Sequence, residues 1–166
     1  MKLVEARARI DDLDGFLAAI DGLADEHGAT IQAFDARYVV SREHLRRAVE
    51  LADRAFERGE NVARDRAVEV LLYAAGRRQI DRALRLGVAE SDDPIPVVVL
   101  VDGGDEAAAA AAVRDLDALE PAETLGAFDP ALVRDFFDVG DAELAAVEGD
   151  LADLVLERVA LLVVEK

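Results

Sequence analysis

Apolar and polar residues alternate over residues 2–10. A period of two predicts a strand with one buried face. Over residues 13–23 the apolar positions instead follow helical spacing, and Asp11 or Asp12 precedes them as a cap. The chain is therefore expected to open with a strand that is followed by a helix.

Four other segments have the composition of strands. Residues 30–34 and 37–40 lie on either side of Asp35 and predict two short strand pieces. Residues 95–101 form a continuous apolar run rich in valine, which is typical of the centre of a sheet. Residues 159–164 are also apolar and predict a final strand.

The longest helices are predicted between residues 41 and 87. Ser41 is a suitable N-cap for a helix that ends at Gly59. Asn61 is the expected cap of the next helix, which is apolar on nearly every side and stops at Gly76. A helix of that kind lies either at the centre of a core or against a partner. A second short helix is expected after the break.

Further helices are predicted to follow Asp105, Pro130, Asp141 and Asp150. The whole pattern indicates a mixed α/β (α+β) fold, in which several helices flank a small mixed β-sheet. No linker, repeat or low-complexity tail interrupts the chain. We therefore expect a single domain over residues 1–166.

Composition narrows the classes of function. The chain has no cysteine, so neither disulfides nor thiolate metal sites are expected. Its net charge is −17, which argues against non-specific binding of nucleic acid. So acidic a surface indicates a halophilic archaeal host, where salt screens the carboxylates; a GC-rich genome, which also favours Arg over Lys, is the alternative. No signal peptide or membrane span is evident, so a cytoplasmic protein is expected.

Candidate catalytic and metal-binding groups are few. Ser41 and His44 are three residues apart, but capping explains Ser41, and His27 and His44 lack the spacing of zinc ligands. Asp102 and Asp105 flank two glycines and would repel phosphate, so we interpret this segment as a plain strand-to-helix turn. We expect no enzymatic activity, cofactor, metal or small-molecule substrate.

Basic residues are concentrated in residues 41–87. This stretch holds 11 of the 19 basic residues, all of them Arg, and 8 acids, which leaves it at +3 in a chain of −17. After Gly76 come Arg77, Arg78 and Gln79, whose donors lie at the start of a helix, where backbone N–H groups add positive potential. Arg holds phosphate bidentately, and Ile80 offers a base an apolar wall. The alternative is that the arginines pair with acids and Ile80 belongs to the core.

Three motifs in this stretch go beyond helical patterning: NVA at residues 61–63, EVLLYAAGRRQI at 69–80 and ALRLGV at 83–88. Together they resemble the signature of the Cgi-type subunit of the KEOPS complex, the family that includes PRPK-binding protein of animals. The pattern of the flanking helices and of the central strand extends the resemblance over essentially the whole chain.

The resemblance implies a non-catalytic accessory subunit. KEOPS makes the threonylcarbamoyladenosine modification of tRNA. Within it, a Cgi-type subunit binds and stimulates a small kinase-like ATPase subunit and recruits tRNA by its single-stranded 3′ CCA tail. By position, the RNA site that the resemblance implies comprises Asn61, Arg64, Arg77, Arg78, Gln79 and Ile80. For Asn61, a role as helix cap is the alternative.

Contact with the kinase-like subunit is expected at exposed apolar positions of the flanking helices and of the C-terminal helix. Candidates there are Leu151, Leu154 and Val155, and burial in the protein's own core is the alternative for each. A second hypothesis keeps this contact and removes the RNA. The chain would then be a protein–protein regulator of the kinase-like subunit with little RNA binding of its own.

Overall fold

The computed structural model describes residues 1–147 and 149–165, with side chains up to residue 162. The chain forms two compact units. The sheet unit comprises Met1–Ala36 and Gly87–Leu125, and the helical unit comprises Arg37–Leu86 and the chain from Gly126 onward. The mixed α/β class is confirmed, whereas a single domain over the whole chain stays a prediction.

Four strands build the sheet unit: β1 Lys2–Ala8, β2 Thr30–Asp35, β3 Ile95–Asp102 and β4 Leu119–Pro121. They lie in the order β2-β3-β1-β4, and all three pairings are antiparallel. The sequence predicts a mixed sheet, but the sheet of the described residues is antiparallel throughout. Its central strand β3 lies between β1 and β2 and runs opposite to both. The central place predicted for β3 is confirmed, since residues 97–101 are all 0% exposed.

Two helices of this unit pack with the sheet, α1 Leu13–His27 and α5 Glu106–Arg114. The carboxylate of Asp12 accepts a hydrogen bond from the N–H of Gly15, as expected of a cap. Phe16 and Ile20 of α1 join Val97, Val99 and Val101 of β3 in one hydrophobic cluster. Burial of this apolar surface is what holds the sheet and the helices together.

The turn from β3 to α5 is a plain strand-to-helix turn, as predicted. Gly104 has a φ of 57°, and a Cβ there would lie 2.3 Å from the carbonyl oxygen of Gly28. The N–H of Asp105 donates to the carbonyl oxygen of His27 at 3.0 Å. Only glycine fits this close approach of two backbones, so the glycine pair is explained without a phosphate.

Three long helices pack together in the helical unit: α2 Arg42–Arg58, α3 Arg66–Ala75 and α8 Leu151–Glu165. The Ser41 hydroxyl accepts from the N–H of His44 at 3.1 Å, and Gly59 ends α2 in the left-handed conformation. Both predicted caps of α2 are confirmed. Residues 69–75 of α3 are all buried, so this apolar helix lies at the centre of the core of its unit.

Short elements complete the helical unit. They are a 3-10 turn Ala36–Tyr38 that begins at the unit boundary, α4 Ile80–Ala83, a 3-10 turn Leu84–Leu86, α6 Pro130–Phe136 and α7 Asp141–Ala146. Asp129 caps α6 by accepting from the N–H of Ala131 at 3.0 Å. None of the described helices is both long and apolar enough to cross a lipid bilayer.

Two predicted strands are wrong. Residues 37–40 form no strand, because the chain enters a 3-10 turn and residues 38–40 are buried without alternation. Residues 159–164 continue α8, although β-branched side chains are frequent there. The buried positions of this helix keep helical spacing, which outweighs local strand propensity, and they include Leu151, Leu154, Val155, Val159 and Leu162.

Candidate functional site

The buried carboxylate of Glu69 fixes the loop before α3. Glu69 is 0% exposed, and its oxygens accept from the backbone N–H of Val62 at 2.9 Å and of Ala63 at 3.0 Å. A buried carboxylate is tolerated only when such donors satisfy it. The Glu of the second motif and the NVA of the first are therefore partners in one structural contact.

Asn61 does not cap α3, so that prediction is wrong. Its side-chain amide donates to the carbonyl oxygen of Ala63 at 2.8 Å and braces the loop. The cap is Asp65, which accepts from the N–H of Ala67 at 2.8 Å. The contacts with Glu69 hold this loop, and the helix itself begins at Arg66. Arg64, the other candidate in this loop, is exposed.

The C-terminal end of α3 is fixed by its backbone. Gly76 has a φ of 61°, and its N–H donates to the carbonyl oxygen of Tyr73 at 3.0 Å. The N–H of Arg77 reaches back to the carbonyl oxygen of Leu72 at 3.1 Å. This pair of bonds is a Schellman motif, and glycine is favoured at its left-handed position.

His44 of α2 satisfies the next carbonyl of α3. Its Nε2 lies 2.7 Å from the carbonyl oxygen of Ala74, and its Nδ1 accepts from the N–H of Val40 at 3.3 Å. These partners assign the proton to Nε2 in a neutral ring. Burial lowers the pKa of His44 to about 4 against the hydrogen bond to Ala74. With both nitrogens engaged and Ser41 serving as a cap, the two side chains are not arranged as a nucleophile and its base.

Arg77 is bound within its own fold. Its guanidinium donates to the carbonyl oxygen of Phe136 and lies 4.8 Å above the centre of that ring. Its Nη2 is also 3.6 Å from a carboxylate oxygen of Asp138. Only 19% of the Arg77 side chain is exposed. The alternative stated for the arginines, pairing within the protein, therefore holds for Arg77.

The next three residues point outward. Arg78 and Gln79 are exposed, and Ile80 is 43% exposed at the start of α4. The alternative that Ile80 belongs to the core is therefore wrong. Leu84, one helical turn later, is 58% exposed and lies on the same face as Ile80. The segment thus presents two adjacent apolar side chains beside polar donors.

A groove of about 290 Å³ lies beside this segment. It is lined by Arg77, Asp81, Arg82, Arg85, Asp135, Phe136 and Asp138. Arg85 Nη2 is 3.3 Å from a carboxylate oxygen of Asp135. Interaction with the Tyr38 side chain, followed by that with Asp135, raises the pKa of Arg85. The three arginines and three aspartates that line the groove give it no net formal charge.

Most residues that line this groove are not among the site residues predicted from the sequence. Arg82 and Arg85 follow Arg78 at intervals of four and three, so helical spacing was a usable signal for them. Asp135 and Asp138 are some fifty residues further along the chain, and only the fold brings them to this groove.

The three residues expected to contact the kinase-like subunit are buried. Leu151, Leu154 and Val155 are 8%, 3% and 0% exposed on α8, which packs against α2 and α3. That placement is wrong, because these side chains belong to the core of the helical unit. On the same helix, Leu161 is 41% exposed.

A larger groove of about 520 Å³ in the sheet unit offers less. Among its lining residues are Arg9 and the exposed acids Asp11, Asp12 and Asp117, a balance that disfavours an anion. In the described part of the chain, no group of three His, Asp or Glu side chains is placed to hold a metal ion.

The geometry defines a mixed α/β protein whose helical unit carries a charged groove beside an exposed turn. The family model of the kinase binding protein CGI-121 matches residues 18–162, so the chain belongs to this family. The chain is therefore a member of a family of kinase-binding proteins, and a kinase is the partner that the family description gives. A search of curated proteins returns no match.

Proposed function

We propose that this protein is a non-catalytic accessory subunit of the KEOPS tRNA threonylcarbamoyladenosine-modifying complex. It binds and stimulates the kinase-like ATPase subunit and recruits tRNA through the 3′ CCA tail. The observation that carries the RNA role is the turn after α3. Its backbone is fixed by Gly76 and His44, while Arg78, Gln79 and Ile80 are exposed.

This turn has the parts that single-stranded RNA requires. Exposed guanidinium groups at Arg78 and Arg82 hold phosphates, and Gln79 hydrogen-bonds a base edge. Ile80 and Leu84 form the apolar surface against which a base packs. Because the backbone is ordered before RNA arrives, little conformational entropy is lost on binding.

Arg64 and Asn61 have different parts in this proposal. Arg64 is exposed and extends the phosphate contacts from the loop before α3. The amide of Asn61 is already engaged with Ala63, so Asn61 acts by holding the loop.

Salt determines how strong this recognition is. The net charge of −17 repels RNA at long range in dilute salt. In molar salt the Debye length is about 3 Å, so that repulsion and any attraction between distant charges are both screened. Arginine–phosphate contacts and base packing, which act at short range, then determine the affinity.

The same charge supports a second candidate, a regulator of the kinase-like subunit with little RNA affinity. Its specific support is the set of three aspartates in the groove, together with the kinase-binding family. In both cases the kinase contact uses exposed surface. Leu161 is the apolar position of α8 that we assign to it, because the inward positions of that helix are buried.

The RNA role is tested by filter binding of tRNA with and without its CCA end, in parallel at 0.15 M and 2 M KCl. We expect removal of the tail to weaken binding by more than tenfold. Equal affinity for the two tRNAs would exclude the tail grip, and absence of binding to both would favour the regulator.

The kinase role is tested by ATP hydrolysis of the kinase-like subunit with wild-type protein and with Leu161→Asp. Stimulation is expected with the wild type and is expected to be at least fivefold weaker with the variant. Leu17→Asp, at an equally exposed apolar position of α1, is the control. Absence of stimulation by the wild type would contradict the accessory role.

A further inference from the structure

Two of the carboxylates that line the groove lie beside guanidinium groups, which are phosphate-binding groups in proteins. Asp135 Oδ2 lies 3.3 Å from Nη2 of Arg85, and Asp138 Oδ2 lies 3.6 Å from Nη2 of Arg77. Both acids belong to one segment, which comprises the end of α6 and the residues after it. The groove therefore already holds two anions of its own.

Arg77 does not need its carboxylate for orientation. Arg77 is held by the carbonyl oxygen of Phe136 and by the face of that ring. The Arg85 side chain is 54% exposed, and Asp135 is the carboxylate beside it. Removal of the Asp138 carboxylate would expose an edge of the Arg77 guanidinium, which remains in place.

Both ion pairs are weak enough to exchange. The side chains of Asp135 and Asp138 are 71% and 85% exposed, and solvent weakens an ion pair whose carboxylate is so exposed. A phosphate group makes stronger, bidentate contacts with Arg. An incoming phosphate can therefore displace them, while their negative charge lowers its net affinity.

We propose that Asp135 and Asp138 are specificity-determining residues that compete with phosphate for Arg77 and Arg85. The inference rests on the proposed binding of RNA at this turn. Because the competition weakens phosphate contacts, a ligand that offers only phosphates binds poorly. An unpaired 3′ end that also packs a base on Ile80 and Leu84 offsets the loss, and single-stranded RNA is thereby selected over other polyanions.

The test compares Asp135→Asn/Asp138→Asn with the control Glu57→Gln/Glu157→Gln. Each pair removes two negative charges, and the control residues are exposed on α2 and α8 outside the groove lining. Asn suits position 138, where φ is 54°. Asp135→Asn alone provides a variant without any change at that left-handed position. Thermal unfolding verifies that every variant is folded.

Two probes are measured at 0.15 M KCl: inorganic pyrophosphate by NMR titration and CCA-ended tRNA by filter binding. We expect the groove pair to bind each probe at least tenfold more tightly than the wild type, Asp135→Asn at least threefold, and the control less than twofold. A duplex RNA without a single-stranded end binds through its phosphates alone. Its affinity for the groove pair should therefore increase by a larger factor than that of the tRNA, and an equal or smaller increase would refute a role in selectivity.

Several outcomes would overturn the proposal. Equal gains for the groove pair and the control would assign the effect to bulk charge, and weaker binding by the groove pair would show that the carboxylates orient the arginines. If the wild type binds tRNA by its tail and the groove pair changes neither probe, the competition is refuted while the RNA function stands. If pyrophosphate gains tenfold but no variant binds tRNA, the competition stands and the RNA function fails.

Discussion

The two ends of α3 are built in opposite ways. Before the helix, side chains hold the backbone of the loop. The Glu69 carboxylate accepts from two backbone N–H groups, and the Asn61 amide donates to a backbone carbonyl oxygen. After the helix, backbone bonds and a histidine from α2 hold the turn. There the side chains of Gln79 and Ile80 are exposed.

This difference shows which parts of the signature are structural. The side chains of Glu69 and Asn61 bind the backbone of the loop before α3, so the identity of these two residues follows from folding. Gln79 and Ile80 are exposed and contribute little buried surface, so folding alone does not explain them. Apart from the contact assigned to Arg64, the RNA contacts that we propose therefore lie at the C-terminal end of α3, and each variant below tests one side of this contrast.

The largest effect is expected at the N-terminal end. Glu69→Gln removes the negative charge and one of the two oxygens that accept from the N–H groups of Val62 and Ala63, and it should destabilise the protein by about 1.5–3 kcal/mol. Urea unfolding measures the loss, with exposed Glu57→Gln as the matched control. The folded variant should keep its tRNA affinity within threefold. A cost below about 0.5 kcal/mol would show that Glu69 does not hold the loop.

The next effect is a pH dependence at the C-terminal end. His44 has a lowered pKa in the folded protein, so its contribution to stability is complete above pH 6.5 and is lost as the pH falls toward 4. For a native pKa of about 4, the wild type should lose about 2 kcal/mol from this group between pH 7 and pH 5. His44→Gln keeps a donor for the Ala74 carbonyl and should reduce the slope. Urea unfolding of both proteins at pH 7 and pH 5 measures this pH dependence. An equal change in the free energy of unfolding for the wild type and His44→Gln would contradict a buried neutral imidazole.

The smallest effect compares two exposed apolar residues at opposite ends of α3. Leu84→Ala and Val62→Ala should each change the free energy of unfolding by less than about 0.5 kcal/mol, because both side chains are largely exposed. Leu84→Ala should weaken tRNA binding about threefold through lost base packing, and Val62→Ala should leave it unchanged. Equal losses for the two variants would remove the functional difference between the ends.

Much of the fold can be predicted from local chemistry. Ser41 and Gly59 announce the ends of α2, and Asp150 caps α8 by accepting from the N–H of Asp153 at 3.1 Å. The valine run of β3 predicts a central strand. The errors at residues 37–40 and 159–164 have one cause, because strand propensity there gives way to tertiary packing.

The candidate site is predictable only in part. Arg78, Gln79 and Ile80 stand out because a helix-breaking glycine precedes donors. Arg77 contacts Phe136 and Asp138, which lie about sixty positions further along the chain. Contacts between residues so far apart cannot be predicted from local sequence. The structure also decides which substitution tests this turn. Arg77→Glu would disturb the packing on Phe136, whereas Ile80→Glu alters an exposed position.

The most direct test of the central claim combines two changes in one cycle. The affinity of wild type and Ile80→Glu is measured by filter binding for tRNA with and without its CCA end, at 0.15 M KCl. If the turn after α3 grips the tail, each change alone weakens binding by more than tenfold, and the two together cost no more than either one. Fully additive losses, or an Ile80→Glu variant that binds intact tRNA as tightly as the wild type, would contradict the account.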